Sequence, residues 1–469
     1  MAWIDLSRRA TFPEKFLNSS TEMRTVARQS HALQRFMFML GLIIAGEAVF
    51  MLPFHITRFF RATFLEVFQF TNTELGAAQA CYGVLAMIAY LLGGPIADRF
   101  SAKKLLASSL VMTAMGGFYL ATFPSYTGAR IVWGYWGVTT ILLFWAALIR
   151  ATRDWGGSDT QGRSYGLLDG GRGVLAAGLA SLAVIAFAIM LPEDVNASSF
   201  DQKKEAMRNI IYGYSFATLV AAVYVWFFVN TPEPNTVDDP GEPPLKTKTL
   251  VHHVGRVVRI PSVWLQALIV VCAYVGYKGF DNYSLFAVEG YGLDEVSAAR
   301  VTALASWMRP IAALAAGMLG DRFRCSRMVT LSFAILLASD LFFALGTPVP
   351  NTAWILISNT ALACVAIFGL RGLYFALFQE AKVPMAVTGA AVGLVSMLGY
   401  TPDIFVTLVG GILLDRSPGL AGHQQFFWFL AGFAALGVLA SIAFEWLNSG
   451  PDAQLSDAVD AKDAERLAG

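Results

Sequence analysis

The chain has 469 residues, of which 56% are hydrophobic and 14% are charged. Soluble globular chains carry about 25% charged residues, so this composition is typical of a membrane protein. A helix that crosses roughly 30 Å of hydrocarbon needs about 20 apolar residues, and the apolar content is enough for on the order of twelve spans. This excludes a soluble enzyme with two or three anchors. The net charge of +1, with its charges in short loops, excludes a nucleic-acid-binding surface.

The first 35 residues contain arginines among acidic residues and no apolar run before Phe36, so residues 1–35 are interpreted as a cytoplasmic leader. Apolar windows separated by polar turns then predict twelve spans. In chain order they cover 36–66, 74–97, 105–123, 128–149, 165–191, 209–229, 262–288, 296–319, 328–346, 352–378, 386–413 and 425–447. The runs are continuously apolar, whereas barrel strands alternate, so the sequence predicts an all-α membrane protein.

A polar, proline-rich stretch divides the spans into two sets of six. The predicted organisation is an N-terminal six-helix bundle at 36–229, a cytoplasmic linker at 230–261, a C-terminal six-helix bundle at 262–447 and a cytoplasmic tail at 448–469. Lysine and arginine concentrate in the loops on the side of the N-terminus. The positive-inside rule therefore predicts a multi-pass protein of the cell inner (plasma) membrane with both termini cytoplasmic.

The loops after the second and eighth spans repeat one pattern, GGPIADRFSAKK and AGMLGDRFRCSR, 223 residues apart. The matching residues are Gly94, Asp98, Arg99 and Lys104 in the first loop and Gly317, Asp321, Arg322 and Arg327 in the second. Glycine lets two helices approach, and Asp with Arg at a helix end can form a charge-assisted latch between moving halves. The alternative is a pair of ordinary basic loops.

Together with twelve spans and a central linker, this duplicated G-x-x-x-D-R pattern resembles the major facilitator superfamily, although Ser101 and Ala102 stand where that family usually has a glycine. The resemblance covers essentially the whole chain. It implies two pseudo-symmetric six-helix bundles that alternate around a central site, which is the architecture of a secondary transporter.

Ionisable residues inside the first span are informative, because each costs roughly 2.5 to 3.5 kcal/mol at mid-membrane. Glu47 lies near the midplane, and His55 and Arg58 follow Pro53 at a spacing of three. A carboxyl group in a low-dielectric site can exchange a proton near neutral pH, so Glu47 is the first candidate for proton coupling and Asp403, after Pro402, is the second. Arg58 is either a substrate contact or an outer-interface anchor, and His55 is either a contact or a packed residue.

The seventh span places Lys278 one turn from Asp281 and surrounds it with Tyr274, Tyr277 and Asn282. One cation with phenols and an amide in a cavity-lining helix predicts a site for an anion with hydroxyl groups, although the local ion pair alone is also a structural possibility. Arg309 in the eighth span is a third cation, for substrate binding, gating or pairing.

The remaining charged candidates are assigned to gating. Asp169 and Arg172 lie three residues apart in a glycine-rich start of the fifth span, and Arg371 lies near the inner end of the tenth. The glycines give a weak nucleotide signal only, since no βαβ unit surrounds them. Four cysteines on separate segments indicate neither a metal site nor a disulfide framework.

Two stretches, AYVGYKGFDNYSLF and TGAAVGLVSMLGYTPDIFVTLVGGILLD, resemble the organophosphate:phosphate antiporter branch, which includes sugar-phosphate and glycerol-3-phosphate transporters. That resemblance implies a phosphate clamp from one cation in span one, His55 or Arg58, and one in span seven, Lys278. Lysine replaces the usual arginine and Glu47 stands in a usually aromatic region, so a carboxylate, sulfonate or zwitterion is an alternative ligand.

The predicted function is secondary active transport of a small organic anion by exchange or proton coupling, by a monomer without a cofactor. One alternative is proton-coupled efflux of a hydrophobic compound through a cavity lined by Trp133, Trp136, Phe144 and Trp145. Another is a non-transporting ligand sensor, for which the linker and tail are short. An enzyme is not expected, because the five histidines do not assemble a catalytic group with a nucleophile and a carboxylate.

Overall fold

The computed structural model describes residues 33–157, 161–230, 257–348, 352–381 and 385–449, together with 255 and 383. The predicted leader up to residue 32, most of the predicted linker, and the tail from residue 450 lie outside the described residues. All long elements in the described part are helices, and they follow one another with short connections.

The first half contains six long helices. They are α1 (Leu33–Phe59, continued after Phe60 by Arg61–Phe68), α2 (Asn72–Arg99), α3 (Ala102–Leu120), α4 (Tyr126–Gly156), α5 (Gln161–Met190) and α6 (Phe200–Phe228). A single 3-10 turn, Val195–Ala197, lies between α5 and α6. Serine or threonine side chains cap the N-termini of α2, α4 and α6, which fixes where these helices begin after their turns.

The second half repeats this pattern. Its helices are α7 (Pro261–Glu289), α8 (Glu295–Ser306 and Met308–Phe323), α9 (Cys325–Leu345), α10 (Ala353–Leu373, followed by the turn Leu377–Glu380), α11 (Met385–Gly399 and Pro402–Arg416) and α12 (Leu420–Ser449). Among the described residues, ten helices have the length and hydropathy of a membrane span. Helices α2 and α3 lie where the second and third spans are predicted. With these two, the described helices account for all twelve predicted spans, and the all-α membrane architecture is confirmed.

The buried apolar side chains form two clusters, one in each half. The first runs from Met39 to Val229 and also takes in Val296, Ala299 and Ala303 of α8. The second runs from Val257 to Phe444. Each half therefore has its own core, and α8 packs on the first half as well as on its own.

Helices α2 and α11 join the halves by close backbone contact. A Cβ atom at Gly76 would overlap the carbonyl oxygen of Thr407, and one at Gly411 would overlap the carbonyl oxygen of Asn72. At the end of this contact, Asp415 accepts hydrogen bonds from the backbone N–H groups of Asn72 (3.1 Å) and Thr73 (2.7 Å). A carboxylate of one half therefore satisfies the N-terminus of a helix of the other.

Several helices are interrupted around mid-length. The π-helical turn Met51–His55 surrounds Pro53, and a second, Thr139–Trp145, interrupts α4. Helix α7 tightens to 3-10 geometry at Phe280–Asn282, and α11 breaks before Pro402. Two of these irregularities coincide with prolines, Pro53 and Pro402. Such interruptions redirect side chains and expose backbone groups, and they are frequent at functional sites.

The repeated loop motif lies at the ends of α2 and α8, and the prediction that its glycines permit a close helix contact is wrong. A Cβ atom at Gly94 or Gly317 would meet nothing within 4 Å, so neither glycine permits a close helix contact here. Gly93 and Gly320 have close neighbours instead. The side chains of Arg99 and Arg322 are exposed, whereas those of Asp98 and Asp321 lie outside the described atoms, so the latch remains a prediction.

Candidate functional site

A cavity lies between the two halves, with about 720 Å³ of empty space that includes the part open to solvent. Helices α1, α2, α4 and α5 line it from the first half and α7, α8, α10 and α11 from the second. Its wall has aromatic and charged side chains and few aliphatic ones. The charged lining residues are Glu47, Arg58, Arg172, Lys278, Arg309, Arg371 and Asp403.

Most of the predicted substrate-binding and coupling residues meet at this cavity. They are Glu47, His55, Arg58, Tyr274, Tyr277, Lys278, Arg309 and Asp403. The prediction that Asn282 contacts the substrate is wrong, because Asn282 is buried and does not line the cavity. The 3-10 turn at Phe280–Asn282 changes the direction in which its side chain leaves α7. Two residues predicted to gate, Arg172 and Arg371, also line the cavity.

One charged cluster joins α1 to α7. The Arg58 Nε donates to Asp281 Oδ1 at 2.6 Å, and the Lys278 Nζ lies 2.7 Å from Asp281 Oδ2 and 3.5 Å from Asp403 Oδ1. The Ser284 hydroxyl donates to the Arg58 carbonyl oxygen at 2.7 Å. Arg58 is only 6% exposed, so its interpretation as an outer-interface anchor is wrong. We refer to Arg58, Lys278, Asp281 and Asp403 as the α1–α7 cluster.

A second cluster joins α1, α5 and α8. The His55 Nε2 lies 3.1 Å from Glu47 Oε1, while Arg172 Nε and Arg309 Nη1 lie 3.7 Å and 3.5 Å from Glu47 Oε2. Arg309 and Arg172 also reach Asp169 Oδ1, at 3.2 Å and 3.8 Å. Both arginines therefore share two carboxylates, one of them contributed by α5. We refer to Glu47, Asp169, Arg172 and Arg309 as the α5–α8 cluster.

Arg371 differs from the other cations of the cavity. Its guanidinium carbon lies 4.1 Å from the ring centroid of Tyr277 and 5.9 Å from that of Tyr274. Its Nη1 is buried without a hydrogen-bond partner, and among the residues that the structure describes no carboxylate pairs with it. Aromatic faces attract a cation but accept none of its N–H donors in the way a carboxylate does.

Tyrosines from both halves meet beside Arg371. Tyr90 of α2 stacks on Tyr400 of α11 with ring centroids 5.8 Å apart, and Tyr400 lies edge-on to Tyr274 at 5.0 Å. The Tyr274 hydroxyl donates to Asp403 at 3.0 Å. Neither Tyr90 nor Tyr400 was predicted from the sequence. The spacing of Tyr82, Ala86 and Tyr90, which puts them on one face of α2, was the available signal.

Most of the aromatic residues predicted to line an apolar cavity for hydrophobic efflux do not line the cavity. Trp133, Trp136 and Phe144 are fully buried in the core of the first half. Of the four aromatic residues named for that function, Trp145 lines the cavity, beside Arg172. The wall of the cavity is consequently more polar than a site for an uncharged lipophilic compound requires.

The cavity is closed at one end. We call this end the distal side; the other, where α1 begins and α12 ends, is the terminal side. On the distal side the Lys203 Nζ bridges Glu66 (2.8 Å) and Glu295 (2.6 Å), in addition to the Asp415 contact. The Asp169 side chain, in contact with Arg309, is 46% exposed. The distal side is therefore closed by polar contacts between the two halves.

Known proteins share this architecture. A solved structure of the nucleoside transporter NupG has a TM-score of 0.64 at 13% identity, covering 88% of this chain and 98% of that chain. A bacterial homologue of the human lysosomal transporter Spinster, in an inward-facing and unoccupied conformation, has a TM-score of 0.67 at 14% identity, covering 89% of this chain and 97% of that chain. At these identities the likeness establishes the fold.

Curated relatives match over most of their length. The inner membrane proteins YihN and YqcE of Escherichia coli (strain K12) are 26% and 25% identical, covering 86% and 80% of this chain and 93% and 86% of theirs. The probable nitrate/nitrite transporter NarK2 of Mycobacterium tuberculosis is 25% identical, over 69% of this chain and 76% of its own. The family model of the Major Facilitator Superfamily matches residues 32–402. With that match over most of its length and two bundles around a charged central cavity, the chain belongs to the Major Facilitator Superfamily of membrane transporters.

Proposed function

We propose that this protein is a secondary active transporter of a small organic anion, phosphorylated or carboxylated, that works by alternating access. One observation carries the proposal: among the described residues, five cations and two carboxylates line a cavity at membrane depth, and one of these cations, Arg371, has no carboxylate partner there. Each such cation is costly in the bilayer, by roughly 2.5 to 3.5 kcal/mol on insertion scales, so an excess of them around a water-accessible space favours an anionic ligand.

The relatives are compatible with this proposal. NarK2 is named as a probable transporter of two inorganic anions, and YqcE and YihN are inner membrane proteins. The resemblance of the seventh and eleventh spans to organophosphate:phosphate antiporters adds phosphorylated metabolites to the candidate ligands. We further propose a monomer in the inner membrane with both termini cytoplasmic, which makes the terminal side the cytoplasmic side.

For proton coupling, the contacts of the two lining carboxylates favour Asp403 over Glu47. Glu47 has Arg172, Arg309 and His55 within 4 Å, and these groups stabilise its ionised form. Asp403 has one cation within 4 Å among the described residues, Lys278 at 3.5 Å. A carboxyl group with fewer cationic neighbours takes up a proton more readily, so Asp403 is better suited to cycle between its two forms.

The test is uptake of radiolabelled phosphorylated and carboxylated metabolites into proteoliposomes, with and without a pH gradient and with unlabelled anion trapped inside. We expect saturable uptake of at least one anion that protein-free liposomes lack. If coupling uses Asp403, the Asp403→Asn variant loses gradient-driven accumulation and keeps exchange, whereas the reverse outcome for Glu47→Gln would restore Glu47 to that role. Transport of a lipophilic cation such as tetraphenylphosphonium, without transport of any anion, would contradict the proposed function.

A further inference from the structure

The geometry points to Arg371 as the residue that binds the acidic group of the transported anion, and to a ligand that carries a single negative charge. This inference rests on the proposed function and adds to it a binding residue and a charge class. It also gives Arg371 a role different from the gating role predicted from the sequence.

The first step is the balance of charges around the cavity. In the α1–α7 cluster, Arg58 and Lys278 are matched by Asp281 and Asp403. In the α5–α8 cluster, the cations Arg172 and Arg309 are matched by two carboxylates, Glu47 and Asp169. With His55 neutral and all four carboxylates ionised, including Asp403, these four cations and four carboxylates cancel. Arg371 is the fifth cation, so the empty cavity carries a net charge of about one.

The second step is the environment of Arg371 itself. The carbon of its guanidinium group lies 4.1 Å from the Tyr277 ring centroid, and that contact supplies no hydrogen-bond acceptor in the plane of the guanidinium group. Nη1 is buried with no acceptor among the described residues. A buried donor without an acceptor is unfavourable, and a carboxylate of a ligand supplies two acceptor oxygens in the geometry that a guanidinium group binds best.

The third step is the choice of ligand charge. A monoanion at Arg371 neutralises the cavity without disturbing either cluster. The other lining cations among the described residues each have a carboxylate partner already, so the second negative charge of a dianion must compete with Asp281 for Arg58 and Lys278, or with Glu47 for Arg172 and Arg309. Both exchanges leave a buried carboxylate unmatched, which is costly. The site should therefore discriminate against dianions, and of the two proposed ligand classes this favours monocarboxylates over phosphate monoesters, whose second pKa is about 6.

The position of Arg371 is also suited to alternating access. Tyr274 connects Arg371 to Tyr400, and Tyr400 stacks on Tyr90 of the opposite half. A ligand whose acidic group binds Arg371 can thus place its body against aromatic faces of both halves. Such a ligand stabilises a state in which the halves approach each other, because it makes contacts there that neither half provides alone.

The experiment is isothermal titration calorimetry on the purified full chain at pH 7.4 with two sets of probes. One set is glucose, gluconate and glucarate; the other is benzyl alcohol, benzoate and phthalate. Each set has one skeleton with no, one or two acidic groups. We expect the monoanion of at least one set to bind about tenfold tighter than its dianion and its neutral partner.

The variants separate this inference from the proposed function. Arg371→Gln is expected to lower monoanion affinity about 10- to 100-fold, and Arg371→Lys, which keeps the charge but loses the planar fork, by less. The control Arg327→Gln removes a 61% exposed arginine outside the cavity and should bind as the wild type does. Size-exclusion profiles establish that each variant is folded, and Arg371→Lys keeps the test informative if Arg371→Gln aggregates.

Each outcome has a distinct meaning. Equal monoanion binding by the wild type and Arg371→Gln would overturn the assignment of Arg371 while leaving anion transport intact. Tighter binding of a dianion than of its matched monoanion would overturn the charge class. Binding of no acid from either set to the wild type would count against the proposed function itself, together with the inference.

Discussion

Asp281 balances two cations that come from different helices. Arg58 approaches one of its oxygens at 2.6 Å and Lys278 approaches the other at 2.7 Å, and the carboxylate is fully buried. A buried carboxylate in this position is stable only because both partners are present. Since Arg58 belongs to the first half and Asp281 to the second, the same contact also helps to hold the halves together.

The substitution Asp281→Asn tests this dependence. It keeps the side-chain volume but leaves two buried cations with less negative charge, so we expect a loss of about 3 to 5 kcal/mol in the free energy of unfolding. Thermal unfolding of the purified protein in detergent measures the effect. The matched control is Glu445→Gln, whose partner Arg327 is exposed and whose effect should stay within about 1 kcal/mol. Equal destabilisation by the two variants would show that Asp281 does not have this role.

At the scale of helices, the contact between α2 and α11 is set by glycines. The backbones approach so closely at Gly76 and Gly411 that no Cβ atom fits, and the contact includes the break in α11 that positions Asp403 and Tyr400. Small residues permit this approach in a membrane, where packing rather than the hydrophobic effect drives helix association. The site geometry therefore depends on residues that carry no functional group.

We expect Gly76→Ala to disfavour the distally closed state by about 1 to 3 kcal/mol, a shift of roughly 5- to 150-fold in population, because the new methyl group meets the backbone of α11. Gly94→Ala is the control. It lies in the same helix with open space around it, so alanine should be neutral or should stabilise the helix by up to about 1 kcal/mol. Initial transport rates in proteoliposomes compare the two; a slower Gly94→Ala with a normal Gly76→Ala would contradict this account.

At the scale of the whole molecule, the distal closure is polar and reversible in character. Lys203 bridges a carboxylate of its own half, Glu66, to Glu295 of the other half, and Asp415 satisfies the N-terminus of α2. Water and other polar groups can replace the partners in contacts of this kind, so the closure can break and re-form within a transport cycle.

Removing both contacts should shift the protein toward distal opening. The test uses a Lys203→Gln, Asp415→Asn double variant in which the four native cysteines are replaced and spin labels are attached at Gln69→Cys and Arg416→Cys. Pulsed electron paramagnetic resonance is expected to show a larger share of long label-to-label distances than without the two substitutions. Arg327→Gln on the same labelled background should leave the distribution unchanged. An unaltered distribution in the double variant would mean that other contacts maintain the closure.

The sequence predicted much of this architecture because span length and apolar content are local properties. It also placed Arg58, Lys278 and Glu47 at membrane depth for the same reason. It did not predict that Asp281 serves both cations, since that contact joins residues 223 positions apart and depends on how the halves dock. The prediction for Asn282 failed because the helix changes to 3-10 geometry there and its side chain leaves in another direction. The prediction for Gly94 failed because the residue that faces the neighbouring helix is Gly93, one position earlier.

The unmatched charge at Arg371 has an electrical consequence. A carrier loaded with a monoanion would reorient with a neutral centre and would not respond to membrane voltage, whereas the empty carrier would return with a positive centre. Moving one elementary charge through the full field is worth about 2.3 kcal/mol per 100 mV. A cell with a negative interior would therefore act on the unloaded half of the cycle, and the resting potential would set how quickly the carrier becomes available again.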